Sequence, residues 1–165
     1  MALAVVMVAA GGCTLVREMT DSDLKALRPF GASTTPANYD DLVFNDKAMD
    51  DEALAKAFPY LRRYRPKGLD FNGRQISDAS VPLLVQIQSL RLLRVQGTRI
   101  SLEGLKRLAT GLPNLNDLVV DGKRFGEAEI GELRAAAPKV TIFPERLLIY
   151  GPDWDAENRD TNGVE

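Results

Sequence analysis

Apolar residues recur along this chain in four copies of one pattern. Counted from Leu93, apolar side chains stand at offsets of 0, 2, 7, 12 and 15 residues, and the same offsets hold from Leu42, Leu69 and Leu118. These starts are 27, 24 and 25 residues apart. All 20 positions are apolar in a chain that is 45% hydrophobic, which by chance has a probability of about 10⁻⁷ before a discount for the choice of frame. The pattern therefore indicates an internal repeat.

Each copy of the repeat predicts a strand, a turn and a helix. The first two apolar positions alternate with polar or variable residues, which is the period of a strand with one buried face. Turn residues follow at one position of the frame: Asp46, Gly73, Gly97 and Gly122. Helix caps are expected at Asp50, Ser77 and Ser101, and helix ends before Pro113 and Pro138. Gly104 lies inside a predicted helix, which favours close packing against a neighbouring turn.

The segments around the repeats carry separate predictions. A short amphipathic helix is predicted over 21–28, and 31–38 has the composition of a linker. The extra residues of the longer first unit are assigned to a basic loop from Arg62 to Lys67. A final strand over 140–143 is expected to close the sheet. An apolar run at 146–150 is expected to cap the last repeat, and 151–165 to form a polar, disordered tail.

Composition narrows the classes of function. At 165 residues the chain is one domain in size, and its 21 basic and 23 acidic residues leave no positive surplus for nucleic acid. It contains no histidine, which excludes His-dependent nucleophilic catalysis and His-based zinc sites. The remaining carboxylates, Lys, Arg and Tyr form no recognisable catalytic pattern, so neither an enzyme nor a cofactor or metal site is expected. The acidic run from Asp153 to Asp160 lacks the spacing of a calcium loop.

The N-terminus carries the one cysteine of the chain. Residues 1–12 are uncharged and largely apolar, and Ala10-Gly11-Gly12-Cys13 resembles the lipobox of bacterial lipoproteins, whose cysteine becomes the lipidated first residue. The resemblance implies a signal peptide over 1–12, a lipid on Cys13 and a location in the bacterial cell envelope, on the periplasmic side. A plain cleaved signal or anchor, and an ordinary buried cysteine in a cytoplasmic protein, are the alternatives.

The repeat itself resembles a known family. The pattern L-x-x-L-x-V-x-G-T-x-I-S-x-x-G-L-x-x-L, followed by L-P-N-L, is similar to a leucine-rich repeat of the short bacterial kind. The resemblance covers about 39–143 and implies an α/β solenoid, a short right-handed horseshoe with about four to five parallel strands on its concave side and helices on its convex side. Residues 13–38 would be a tether with a capping helix, and 144–165 a C-terminal cap and tail. Where the family often has Asn or Cys after the strand, this chain has Lys47, Arg74, Thr98 and Lys123, which leaves a regular asparagine ladder open.

The resemblance also implies where a partner would bind. Residues expected to line the concave side are Val43, Asn45, Asp70, Asn72, Leu92, Arg94, Gln96, Val119, Asp121, Thr141 and Phe143. One row across adjacent strands is expected to contain Val43, Asp70, Arg94, Val119 and Thr141. Asp70 beside Arg94 could anchor a ligand or simply pair to stabilise the sheet. Phe143 could contact a partner or be covered by 146–150.

The function implied by this resemblance is non-catalytic protein–protein interaction through the concave sheet of a lipid-anchored protein. The sequence does not identify the partner, and no small-molecule substrate is expected. A structural or assembly component of the bacterial envelope is one alternative. A cytosolic repeat adaptor is the other, if residues 1–13 are not an export signal.

Overall fold

The computed structural model describes residues 21–35, 38–44 and 49–145. Several predictions fall outside these residues: the signal peptide, Cys13, the concave position Asn45, the turn at Asp46, the cap at 146–150 and the tail at 151–165.

Strands and helices alternate along the described chain. The strands are β1 (Ala32–Thr35), β2 (Asn38–Phe44), β3 (Gly68–Asp70), β4 (Leu92–Arg94), β5 (Asp117–Asp121) and β6 (Thr141–Glu145). The helices are α1 (Asp21–Leu27), α2 (Asp51–Tyr64), α3 (Val81–Leu84), α4 (Leu102–Gly111) and α5 (Glu127–Ala136). Short 3₁₀ turns at Arg28–Phe30 and Asp78–Ser80 extend α1 and precede α3. The predicted α/β class is confirmed.

The strands form one six-stranded sheet in chain order, β1-β2-β3-β4-β5-β6. β1 runs antiparallel to β2, and the strands from β2 to β6 run parallel because a helical crossover returns the chain to the same end each time. The register places the repeat starts directly opposite one another, in the order Leu42, Leu69, Leu93 and Leu118, with Ile142 in β6 completing the row. The repeat in the sequence is therefore the interval at which strands are added to the sheet.

One hydrophobic core lies between the helices and one face of the sheet. All 20 positions of the repeat are buried, and the most exposed of them, Phe125, is 8% exposed. Phe44 stacks on Phe71 of the next unit, with ring centroids 5.0 Å apart and ring planes 11° apart. The side chains that alternate with these buried strand positions leave the sheet on the opposite side, which we call the open face.

The local predictions for caps and turns hold at most positions. The side-chain oxygens of Asp50, Ser77 and Ser101 accept the N–H groups of Ala53, Ala79 and Gly104 at 2.8, 3.2 and 3.1 Å, which confirms all three caps. Gly73 and Gly97 adopt left-handed backbones with φ of 69° and 65°. Gly122 is needed for a different reason, because a Cβ there would lie 2.7 Å from the backbone oxygen of Pro144.

Aspartates at the helix starts connect successive units. Asp51, at the start of α2, accepts the backbone N–H of Ser77 at 2.9 Å. Asp78, in the equivalent place of the next unit, accepts the backbone N–H of Ser101 at 2.8 Å. These two carboxylates thus link neighbouring units at the starts of the helices.

Two segments differ from their predictions. The linker expected over 31–38 is wrong at Ala32–Thr35, which forms β1 against the outer edge of β2. The unpaired edge of β2 supplies hydrogen-bond partners that local composition does not reveal. The basic loop expected from Arg62 to Lys67 is wrong at 62–64, because α2 continues to Tyr64, and the loop is limited to 65–67, where Arg65 caps the helix with a left-handed φ of 58°. The longer first unit therefore has a longer helix, whose buried Leu61 holds this last turn on the core.

A pair of glycine substitutions tests the packing between units. In Gly104→Ala the new methyl group would collide with the Asp78 carboxylate and lie 2.7 Å from Cγ2 of Ile100. We expect a loss of about 1–2 kcal/mol in the free energy of unfolding, because Asp78 must leave the N–H of Ser101. Gly131→Ala in α5 meets nothing within 4 Å and should instead gain about 0.5–1 kcal/mol. Urea denaturation measures both, and equal gains would contradict close packing at Gly104.

Candidate binding face

The open face consists of outward side chains on the five parallel strands and the turns that follow them. Its described members are Asp41, Val43, Gly68, Asp70, Asn72, Leu92, Arg94, Gln96, Asp117, Val119, Asp121, Thr141, Phe143 and Glu145. Every binding residue expected from the sequence, apart from Asn45 outside the description, lies on this face. The parallel register brings them together although they come from separate repeats.

The central row of the open face ends in a different residue from the one expected. Its members are Val43, Asp70, Arg94, Val119 and Phe143. The prediction of Thr141 in this row is wrong, because Thr141 lies opposite Asp117. The final strand was expected over 140–143 but runs to Glu145 through Pro144. Proline is tolerated on an edge strand, where its missing N–H breaks no ladder bond.

An apolar patch lies at the β6 end of the central row. Phe143 is 39% exposed, the one exposed large hydrophobic side chain among the described residues. Val119, its partner in the register, is 4% exposed although it lies outside the main core. Leu92 is half-buried in the neighbouring row. Exposed apolar surface flanked by polar side chains is typical of a contact site.

Asp70 and Arg94 form the ion pair that the sequence suggested, but a long one, with Nη1 of Arg94 3.9 Å from Oδ2 of Asp70. Burial raises the pKa of the Asp70 carboxyl, and the N–H of Asn72, which donates at 2.9 Å, and the Arg94 guanidinium oppose this shift without cancelling it. A raised pKa means that the folded state binds the proton more tightly than the unfolded state. The charged form therefore opposes folding at neutral pH, and protonation relieves this as the pH falls through the raised pKa.

Gln96 is buried on the open face with an unused hydrogen-bond acceptor. Gln96 begins the turn after β4, and because Val95 before it packs in the core, the side chain of Gln96 is directed to the other side of the sheet. The residue is 3% exposed, and its Oε1 accepts no hydrogen bond from any described residue. A buried amide oxygen in this state loses its hydration without compensation. It is a position where a donor from a ligand would be favourable.

Three further carboxylates lie on the open face beside the expected binding residues. Asp41 and Asp117 lie in the row of Leu92, and the carboxylate of Asp41 leans across Gly68, whose missing side chain leaves the space. Glu145 lies opposite Asp121 at the end of β6. Continuing the period-two alternation from Thr141 and Phe143 reaches Glu145, although a proline between them disfavours a strand.

Other features of the described residues lie away from the open face. A cavity of about 470 Å³ is lined by Arg62, Arg65, Gln86, Ile87, Gln88 and Ser89.

No group of three or more Cys, Asp or Glu side chains is placed to hold a metal ion in the described part of the chain. The described helices are all too short or too polar to cross a membrane.

No protein-family model matches this chain, and no curated protein matches its sequence. A function must therefore be inferred from the open face itself.

Proposed function

We propose that this chain is a small leucine-rich repeat protein that binds a protein partner through the open face and catalyses no reaction. In this proposal the sheet and helices form a short solenoid, and the open face is its concave side. The observation that carries the binding role is the preformed open face, which exposes Phe143 beside charged and amide side chains. The regular register of the repeat starts supports the family assignment, because stacked repeats require it.

Binding would follow from rigid display. Backbone hydrogen bonds hold each strand, and buried side chains hold the sheet on the helices, so the outward side chains already occupy fixed positions. A partner then meets a surface that loses little conformational entropy on association. The groups on this surface are carboxylates, guanidinium groups, amides and an aromatic ring, and they suit recognition. A chain without histidine also lacks the usual proton-transfer group near neutral pH.

A photo-crosslinking experiment tests the binding face. A photoreactive phenylalanine analogue is placed at Phe143 on the open face or, as the control, at the exposed Arg107 on α4. In cells that produce the full chain, irradiation should give a discrete crosslinked product from position 143 and none from position 107. A product from position 107 alone would place binding on the helix side and overturn the proposal.

We also propose that the protein is exported and anchored by lipid on Cys13. Its support is the uncharged apolar run that ends in Ala10-Gly11-Gly12-Cys13. Intact mass of the chain from the membrane fraction should show loss of residues 1–12 and the added mass of a diacylglyceryl and an acyl group. A Cys13→Ser variant should lose both changes. An unmodified chain that retains Met1 would contradict the anchor and favour an adaptor inside the cell.

A further inference from the structure

The open face concentrates negative charge. Its described carboxylates are Asp41, Asp70, Asp117, Asp121 and Glu145, and the basic side chains near them are Arg94 on β4 and Arg74, which follows β3 and lies close enough to Asp70 to lower the pKa of its carboxyl. The whole chain, by contrast, has 21 basic and 23 acidic residues. The imbalance of the open face is therefore local and does not follow from composition.

Most of these carboxylates have no ionic partner. Asp41, Asp117, Asp121 and Glu145 form no ion pair with any described residue. Carboxylates on the helix side do pair: Lys106, for example, contacts Glu103 at 3.0 Å and Glu132 at 2.9 Å.

Asp121 and Glu145 are moreover direct cross-strand partners. Like charges opposite one another destabilise a sheet, and a bound cation would relieve that repulsion.

Gln96 provides a second and independent observation. Its buried Oε1 has no donor among the described residues, and Gln96 lies in the turn after β4, beside the turn after β3 that contains Asn72. The backbone N–H of Gly73 donates to the backbone carbonyl oxygen of Gln96 at 2.7 Å, which brings the turns after β3 and β4 side by side. The four carboxylates lack a cationic partner among the described residues, and the amide oxygen of Gln96 lacks a donor there. A ligand that matches the face must therefore supply N–H donors and positive charge.

We infer that the open face binds a basic polypeptide segment in extended conformation, with Lys or Arg side chains on its carboxylates and an apolar side chain against Phe143 and Val119. This inference rests on the proposed function and specifies the chemistry of the partner. An extended segment suits a face made of strands, because its alternate side chains point toward one surface. Charge disfavours the chain's own C-terminal segment as the occupant, because 146–165 carries five acidic and two basic residues.

The test uses the full chain and three fluorescein-labelled synthetic nonapeptides. The first alternates lysine with valine or phenylalanine, the second replaces every lysine by glutamate, and the third replaces every lysine by serine. Fluorescence anisotropy should show saturable binding of the lysine peptide, weaker at high salt because the contacts are between exposed charges. The other two peptides should bind at least about tenfold more weakly.

Variants locate the binding. Asp121→Asn with Glu145→Gln removes two charges from the open face, and the asparagine retains the acceptor used by the N–H of Lys123. This double variant should weaken binding about tenfold. The matched control, Glu103→Gln with Glu132→Gln, removes two charges from the helix side and should leave affinity unchanged. Gln96→Met should weaken binding without lowering the unfolding midpoint, because it removes a buried acceptor at similar volume.

Three outcomes would overturn the inference. In the first, both double variants weaken binding equally. In the second, the chain prefers the glutamate or the serine peptide. In the third, the chain forms salt-sensitive dimers that dissociate when Asp121→Asn and Glu145→Gln are introduced together. The last would identify a second copy as the occupant. None of these outcomes changes the crosslinking result at Phe143. If position 143 crosslinks a protein but the lysine peptide does not bind, the proposed function still holds and only this inference is wrong.

Discussion

Phe71→Ala should lower the free energy of unfolding by about 3–5 kcal/mol, the largest loss expected from a single substitution in this protein. Phe71 is fully buried, and its ring stacks on Phe44 at 5.0 Å, so its removal opens a cavity between the first and second units. The surrounding backbone is held by the parallel ladder and cannot collapse fully into that space. Urea denaturation followed by circular dichroism measures the change.

Phe143→Ala is the matched control for this prediction. The same atoms are deleted from a ring on the open face that is 39% exposed, so the cost in stability should stay below about 1 kcal/mol. Its effect should instead appear as weaker binding of the basic peptide. A loss below about 1 kcal/mol for Phe71→Ala would contradict the assignment of this ring to the core between units.

Asp51→Ala has the second largest expected effect, a loss of about 2–3 kcal/mol. Asp51 accepts the N–H of Ser77 at 2.9 Å, the Ser77 hydroxyl at 2.5 Å and the hydroxyl of the buried Ser80 at 2.5 Å. Removing the carboxylate leaves these three donors unpaired at the junction of two units. Asp50→Ala is the control, because Asp50 caps only its own helix and should cost about 1 kcal/mol.

The effect of Asp51 should also depend on pH. Burial by itself would raise the pKa of this carboxyl, but the hydrogen bonds from Ser77 and Ser80, with a smaller contribution from Arg99, lower it below the usual 3.8. A lowered folded-state pKa gives stability that is fully present above the usual value and is lost as the pH falls through the lowered one. The difference between the natural chain and Asp51→Ala should therefore shrink below about pH 4. A difference that stays constant down to pH 2 would contradict the charged network.

The open face was only partly predictable. The position of Arg94 beside Asp70 follows from the repeat frame, because equivalent positions of a regular repeat become neighbours in a parallel sheet. Phe143 was placed on the correct face but in the wrong row, since the register of β6 is decided by its hydrogen bonds to β5. The burial of Gln96 with an unused oxygen depends on how several units surround it. No local pattern contains that information.

By itself the sequence determined which side chains form the core and where the helices begin. Apolar spacing and capping residues act within one unit, and that unit is repeated. The burial of Leu42, Leu69, Leu93 and Leu118 is therefore predicted independently in each of the four copies. The tertiary structure decided the rest: β1 on the edge of β2, the links from Asp51 and Asp78 to the next unit, and the alignment of Asp121 with Glu145. Each of these depends on a hydrogen-bond partner or a charge that is distant along the chain. Such partners are selected only when the units stack.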